Sequence, residues 1–221
     1  MGNPSTGAFF DFDRTLTMVE TPRLGIRYLR ERSLVGTTYL IKVFVSHLLY
    51  RNGILSDETM AHILISFYRN KPYGPFVDGA RDFYRDVIRP HLAPAIVQRL
   101  REHQASHHVT VLVSAGLRYL LEPVVEDLGF EKLLCTDLEV DPRGTLTGRT
   151  RGPVCTDRVK RYLVARLAAD SGIDLGSSYA YGNHEADIPM LELVGNPCAV
   201  EPTDALRKHA LSRGWPILHY T

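Results

Sequence analysis

The order of apolar segments predicts an α/β fold, a parallel sheet with helices on both faces, into which a helical block is inserted after the first strand. Two observations carry this expectation. From residue 93 onward, short apolar or β-branched runs alternate with helical stretches, the pattern of strand–helix–strand crossovers. Ahead of them, one aromatic strand-like run is followed by a long helical region that reaches Arg89.

In chain order, GAFFDF (7–12) is short, apolar and aromatic, and suits a buried strand ending at Asp11. From Thr21 to Arg89 the apolar positions fall at helical spacing: Leu24, Ile26, Tyr28 and Leu29, then Leu40 to Leu49, then Met60, Ile63, Leu64 and Phe67. Gly53, Pro72, Gly74, Pro75 and Pro90 punctuate that region, and Ser56 opens a Ser-Asp-Glu-Thr run that reads as a helix start. Ala93–Gln104 reads as a helix, and VTVLV (109–113) as a buried strand running into Ser114. Leu117–Leu128 is a helix, Lys132–Thr136 a strand, and Leu138–Thr147, with Pro142 and Gly144, a hairpin. Thr156–Ala169 is a helix capped by Thr156 or Asp157; SSYAY (177–181) is a strand, Glu185–Val194 a helix and Asn196–Val200 a strand. In such a sheet the ligand crevice lies beyond the carboxyl ends of the strands.

Composition excludes several function classes. The 221 residues carry 26 Lys and Arg against 25 Asp and Glu, a net charge of +1, so no basic excess is available for nucleic acid. Three scattered cysteines, Cys135, Cys155 and Cys198, form neither a disulfide framework nor a zinc site, which fits a reducing cytoplasm. The N-terminal MGNPST is no secretory signal, although Gly2 with Thr6 matches the permissive myristoylation pattern. The most apolar stretch, TTYLIKVFVSHLLY (37–50), is broken by Lys42 and His47 and is too short to span a bilayer. A buried or lid helix is expected there, with no stable membrane association.

Candidate chemical residues sit at strand ends. Alternation in an extended segment puts Asp11 and Asp13 on one side, where like charges couple and one acid holds a proton beside an ionised neighbour. The same pair would suit a solvated turn. Ser114, followed by Ala115 and Gly116 and then a helix, offers a hydroxyl and free N–H groups to an anion, or a plain helix cap. Lys160 lies on a helix, where a lone lysine is usually solvated. Asn183 and Asp187 are spaced i, i+4 after a strand, and oxygen ligands of this kind suit Mg2+. His184 has no second His or Cys at zinc-ligand spacing and reads as a loop residue.

Taken together, FFDFDRTLT (9–17), VLVSAG (111–116), GPVCTDRVK (152–160) and YGNHEADIPMLE (181–192) resemble the haloacid dehalogenase-like hydrolase superfamily, in its phosphoserine-phosphatase-like branch. The resemblance implies a Rossmann-like three-layer α/β/α core (1–17 and 90–221) with an inserted helical cap (18–89). It implies a phosphatase acting on a small phosphorylated metabolite. Asp11 would form an aspartyl-phosphate, and Asp13 would protonate the leaving oxygen and then activate water. Ser114, backbone N–H groups at Ala115, and Lys160 would hold phosphate. Asp11, the Asp13 main-chain carbonyl, Asn183 and Asp187 would serve Mg2+. A second acid at Asp13 speaks against dehalogenation, since a halide leaves without a proton.

Two departures from the family pattern stand out. The family usually has Asp where this chain has Asn183, which costs the metal site one negative charge, and Glu185 is the nearest carboxylate to compensate. Glu20 matches the acid that phosphoserine phosphatases set against the substrate amino group, and it equally suits a helix start. The cap arginine that would hold a serine carboxylate has no clear counterpart in SDETMAHILISFYR, which ends at Arg69. A phosphorylated amine or alcohol therefore ranks with phosphoserine, and the apolar run at Leu40–Leu49 permits a more lipophilic ester. A weakly active or regulatory protein, or a phosphotransferase using the same intermediate, are the competing readings.

Overall fold

The computed structural model describes residues 4–31, 35–52, 54–55 and 57–220; the expected helix start at Ser56 and the Gly2 pattern lie outside them. β1 (Ser5–Phe10) runs down the middle of a six-stranded sheet with β3 (Val109–Leu117), β4 (Lys132–Thr136), β7 (Ile173–Gly182), β8 (Asn196–Val200) and β9 (Ile217–Leu218). The order is β4-β3-β1-β7-β8-β9, and every pairing between neighbours is parallel. The chain leaves β1 toward β3 and β4, then returns to β7 on β1's other flank. That reversal opens a crevice at the carboxyl end of β1.

Alternation along the strands decides what each face buries. Ala8, Phe10 and Leu112 point to one side, where they meet Ile96 and Leu100 of α5 (Pro94–Ala105) and Leu121, Val124 and Leu128 of α6 (Arg118–Leu128). Phe9, Val111 and Val113 point to the other, against Val164 and Ala168 of α7 (Asp157–Ser171), Met190 and Leu191 of α8 (Ile188–Leu191), and Leu206 and Ala210 of α9 (Asp204–Arg213). The three-layer α/β/α core expected from the sequence is present.

Between β1 and α5 the chain forms α1 (Thr21–Glu31), α2 (Thr37–Arg51), α3 (Asp57–Ile65) and α4 (Gly74–Phe83). A short strand, β2 (Lys71–Pro72), pairs antiparallel with β6 (Thr145–Thr150) of the hairpin that begins at β5 (Leu138–Val140). Val35, Ile65, Phe67, Tyr68 and Ala80 of the inserted segment pack with Tyr119, Leu138 and Leu146. Farther on, Phe83, Tyr84 and Ile88 join the Phe10–Leu112 cluster.

Three local expectations need correction, and two elements are not expected at all. Along α2, Ile41, Phe44, Val45 and Leu48 are exposed rather than buried. The sequence there is apolar nearly all round, so packing through Tyr39, whose hydroxyl donates to the Leu64 carbonyl, leaves another apolar face outside. The helix expected over 185–194 shrinks to a 3-10 turn (185–187) and the single turn of α8, whose first turn carries Pro189. Thr156 occupies the position before α7, but its hydroxyl turns to Asp157 Oδ2 and caps nothing. α9 and β9 carry too little apolar signal to be read in advance; DALRKHALSR buries only Leu206 and Ala210.

Among the described residues, His103 is the histidine buried in the core. His103 on α5 places Nε2 2.8 Å from the Tyr181 hydroxyl and Nδ1 2.8 Å from Nδ1 of His108. Burial first, and then the neighbouring His108, pushes its pKa down to about 4. Between the ordinary histidine value of about 6.5 and 4, the unfolded chain binds a proton that the folded one refuses. His103 therefore stabilises the fold fully above about pH 6.5, and that contribution is lost as pH falls toward 4. Thermal unfolding from pH 7.5 to 4.5 should fall more steeply for the wild type than for His103→Gln; parallel pH slopes would disprove the assignment.

Candidate active site

The site begins where β1 ends. The Asp11 N–H donates to the Tyr181 carbonyl at 2.9 Å, which fixes Asp11 against the carboxyl end of β7. The chain then tightens into one wide turn, Phe12–Leu16, in which Arg14 takes a left-handed φ of 55°. Such backbone is strained for a residue with a Cβ, and the strain sits immediately after the second acid, Asp13. The turn brings the Thr15 hydroxyl back to Asp11 Oδ2 at 3.0 Å. It also sends Asp13 to the start of α1, where Oδ1 accepts the Thr21 N–H at 2.5 Å. A carboxylate at the positive end of a helix is well placed electrostatically.

Lys160 comes from α7 and is anything but solvated. Its Nζ donates to Asp11 Oδ1 and to Asp187 Oδ1, both at 2.6 Å, and the three side chains are 9% exposed or less. Asp187 is itself held from behind: its Oδ2 accepts the N–H groups of Asn183 and His184, each at 3.1 Å. A Cβ on Gly182 would lie 2.6 Å from Asp187 Cβ, so only glycine lets Asp187 approach this closely. Asn183 is buried, its carbonyl accepts the Thr203 N–H, and among the described residues no hydrogen bond holds its side-chain amide.

Charges in this cluster follow from burial and neighbours. Burial, then Asp187, pushes the Asp11 pKa up to about 7, against the pull of Lys160. The like-charge contribution of Asp13 is the smallest of the causes, so the coupling expected between the two motif acids is replaced by one between Asp11 and Asp187. The wide turn explains this, because it points Asp13 toward α1 rather than alongside Asp11. Burial also raises Asp13 above the usual carboxylate range, partly offset by its hydrogen bond from Thr21. Lys160 loses by burial but gains more from its two carboxylates, and its pKa ends above the normal lysine value.

Ser114 is buried near the end of β3, and its Oγ accepts the Gly116 N–H at 3.0 Å. It does not cap the next helix, which starts at Arg118. The β3–β4 register breaks between Val113 and Leu117, which releases Ser114, Ala115 and Gly116 from regular pairing. Ala115 is exposed there. Glu20 stands apart, bound to Arg23 at 2.8 Å and Arg14 at 3.6 Å. Glu185, the nearest carboxylate in sequence to compensate for Asn183, accepts from the Thr203 hydroxyl at 2.8 Å instead of joining the Lys160 cluster. Thr15 and Gly182 are the residues that sequence reasoning passed over. Thr15 was visible in Asp-x-Asp-x-Thr; Gly182 needed knowledge of where Asp187 would lie.

Among the described residues no group of three or more His, Cys, Asp or Glu side chains converges as metal ligands. The donors at hand are two carboxylates, an amide and main-chain carbonyls, all hard oxygens, a set that fits Mg2+ with retained waters and not zinc. The Asn183 side-chain amide, which no hydrogen bond holds among the described residues, agrees with that.

The haloacid dehalogenase-like hydrolase model matches residues 8–192, which contain every element of this cluster. The chain belongs to that family. Among relatives of this hydrolase, the inhibition of morphological differentiation protein of Streptomyces azureus is 29% identical over 98% of this chain and 79% of its own. A histidinol-phosphatase of Neisseria meningitidis serogroup C (strain 8013) is 28% identical over 96% of this chain and 98% of its own. A protein of unknown function from Bordetella pertussis Tohama I superimposes with a TM-score of 0.89 at 28% identity, over 99% of this chain and 100% of that one. A phosphoserine phosphatase carrying a phospho-aspartyl intermediate analogue shares the fold with a TM-score of 0.70 at 21% identity, over 100% and 95%.

In this hydrolase the buried Lys160 ties α7 to the ends of β1 and β7. Lys160→Met should cost about 3–5 kcal/mol of stability, because it strands two buried carboxylates. Urea unfolding checks this, and a loss below about 1 kcal/mol, the size of a surface pair, would show that the ammonium does not hold the cluster together.

Proposed function

We propose that the chain is a Mg2+-dependent phosphomonoester hydrolase that works through an aspartyl-phosphate on Asp11. The observation that carries this reading is the buried Lys160 ammonium bridging Asp11 and Asp187, with a further acid, Asp13, two residues after Asp11 and held by the Thr21 N–H of α1. Phosphoryl transfer needs positioning and charge neutralisation above all, and this cluster supplies both. A hydrolase family and a histidinol-phosphatase among its relatives support the same reaction class.

In the first half-reaction an Asp11 carboxylate oxygen attacks phosphorus, and the ester P–O bond breaks. Asp13, whose pKa burial raises, acts as the acid and gives a proton to the departing alkoxide. Lys160, the Ser114 hydroxyl and the N–H groups near Ala115 hold the phosphoryl oxygens. In the second, Asp13 takes a proton from water, the hydroxide oxygen bonds to phosphorus, and the bond to Asp11 breaks to release phosphate. Asp11, the Asp13 main-chain carbonyl and Asn183 would hold Mg2+, with Asp187 orienting them. When bound, the ion neutralises charge between the phosphoryl group and the carboxylates. The setting is the cytoplasm, supported by three buried, unpaired cysteines. Among the described residues no helix is long and apolar enough to cross a membrane.

Asn183 favours a second reading, a weakly active or regulatory protein on the same fold. A phosphotransferase would share the intermediate and pass the phosphoryl group to another hydroxyl. Turnover of p-nitrophenyl phosphate, with and without an added alcohol acceptor whose phosphorylation would mark a transferase, separates these readings. Turnover should need Mg2+ and fall by about a thousandfold or more in Asp11→Asn. Asn183→Asp should lower the Mg2+ concentration for half activity roughly tenfold, through one added ligand charge. Complete inactivity toward phosphoesters, with a phosphate ligand still bound, would favour the regulator. An unchanged Mg2+ requirement in Asn183→Asp would remove residue 183 from the ligand set.

A further inference from the structure

A cavity of about 580 Å3 lies between the inserted helices and the core. Its floor reaches the reaction centre at Asp13, Ala115 and Gly116. Its walls are aromatic and aliphatic, with Tyr28, Tyr39, Phe67, Phe76, Phe83 and Tyr119 from five different elements. Among the described residues that line it, Asp13 alone carries a carboxylate, and no lysine, arginine or histidine is present. The tyrosine hydroxyls deep in the wall are already engaged: Tyr39 donates to the Leu64 carbonyl, and Tyr68 and Tyr119 pair at 2.8 Å. Among the described residues, that leaves the Thr21 hydroxyl beside Asp13 as a buried polar atom without a hydrogen-bond partner. The two side chains best suited to bind a charged substrate lie elsewhere. Glu20 is tied to Arg14 and Arg23, and Arg69 is exposed and lies against Gly148.

The helices also keep the space open. Gly25 in α1 and Gly79 in α4 line the cavity, and both have ordinary helical backbone. Glycine is a poor helix former, so its presence at two lining positions asks for a reason other than conformation. A Cβ on Gly79 would meet nothing within 4 Å. Any side chain there would extend into the cavity.

We propose that this cavity receives the alcohol half of the ester and that this half is uncharged and largely apolar, an aryl or long alkyl group. The proposal rests on the phosphomonoester-hydrolase reading and names its substrate class. A serine-like leaving group would bury a carboxylate with no cation to meet it, and an unpaired buried charge is strongly unfavourable. A trimethylammonium group could sit among the rings, but it would fill a small part of 580 Å3. An apolar group of drug-like size matches both the volume and the wall chemistry.

Two measurements on the whole protein test this. With Mg2+, kcat/KM is compared for 2-phenylethyl phosphate, n-octyl phosphate, O-phospho-L-serine, L-histidinol phosphate and phosphocholine. Binding of 2-phenylethanol and 1-octanol, which lack a phosphoryl group, is followed by calorimetry. At least one uncharged ester should exceed every charged one by about 100-fold or more. The order of the phenylethyl and octyl compounds tells an aryl pocket from an alkyl one. The better alcohol should bind the wild type and lose at least about tenfold in Gly79→Leu, whose thermal midpoint should not fall because leucine is the better helix former. A charged ester turned over as well as the best uncharged one, or alcohol affinity untouched by Gly79→Leu, overturns the proposal. No turnover of any ester with alcohol binding intact overturns the hydrolase reading and supports the cavity assignment.

Discussion

Lys160 Nζ lies 2.6 Å from one oxygen of Asp11 and 2.6 Å from one oxygen of Asp187, with all three side chains buried. Three ions cannot be taken out of water unless each finds its partners, and here the remaining oxygens are met as well. Thr15 serves the second oxygen of Asp11, and two backbone N–H groups serve that of Asp187. The arrangement constrains the chain around it. The turn after β1 must be wide enough to return Thr15, even at the expense of a left-handed Arg14. β7 must end in a glycine so that Asp187 can come within reach.

The sheet explains why these residues can meet at all. β1 lies between β3 and β7, so the loops leaving all three strands open into the same crevice. Asp11 comes from the first, Ser114 from the second and Asn183 from the third. Packing on both faces, Phe10 against α5 and α6 and Phe9 against α7 and α8, leaves the strands no room to slide relative to one another. The acidic cluster therefore sits on the most rigid part of the molecule, and the walls of the adjoining cavity come largely from the helices between β1 and α5.

Legibility in the sequence followed the range of the interactions. Strands such as GAFFDF and VTVLV announce themselves because full burial demands continuous apolar runs, and the acids that end them are read off the same segment. Asp187 after Asn183 is a local spacing and was equally visible. Lys160 was not legible by itself: a helical lysine looks the same whether it faces water or two carboxylates separated from it by 149 and 27 residues. Only the family resemblance drew it in. Ser114 was placed correctly and explained wrongly as a possible cap, since the broken β3–β4 register depends on a partner strand. β2 and the exposed face of α2 escaped for a related reason. Two residues of strand exist only because β6 is there to pair with them, and an all-round apolar helix does not say which side it will bury.

Asn183 shows how charge at such a site is divided between folding and ligand binding. Asp11, Asp13 and Asp187 already set three carboxylates against the ammonium of Lys160, and burial together with Asp187 lifts Asp11 to a pKa of about 7. A fourth carboxylate at position 183 would strengthen attraction for a cation, but without the cation it would add repulsion to an already desolvated cluster. The amide keeps an oxygen donor in place and removes that repulsion. An uncharged residue at position 183 thus trades attraction for a cation against repulsion within the cluster, where the Lys160 ammonium is what meets Asp11 and Asp187.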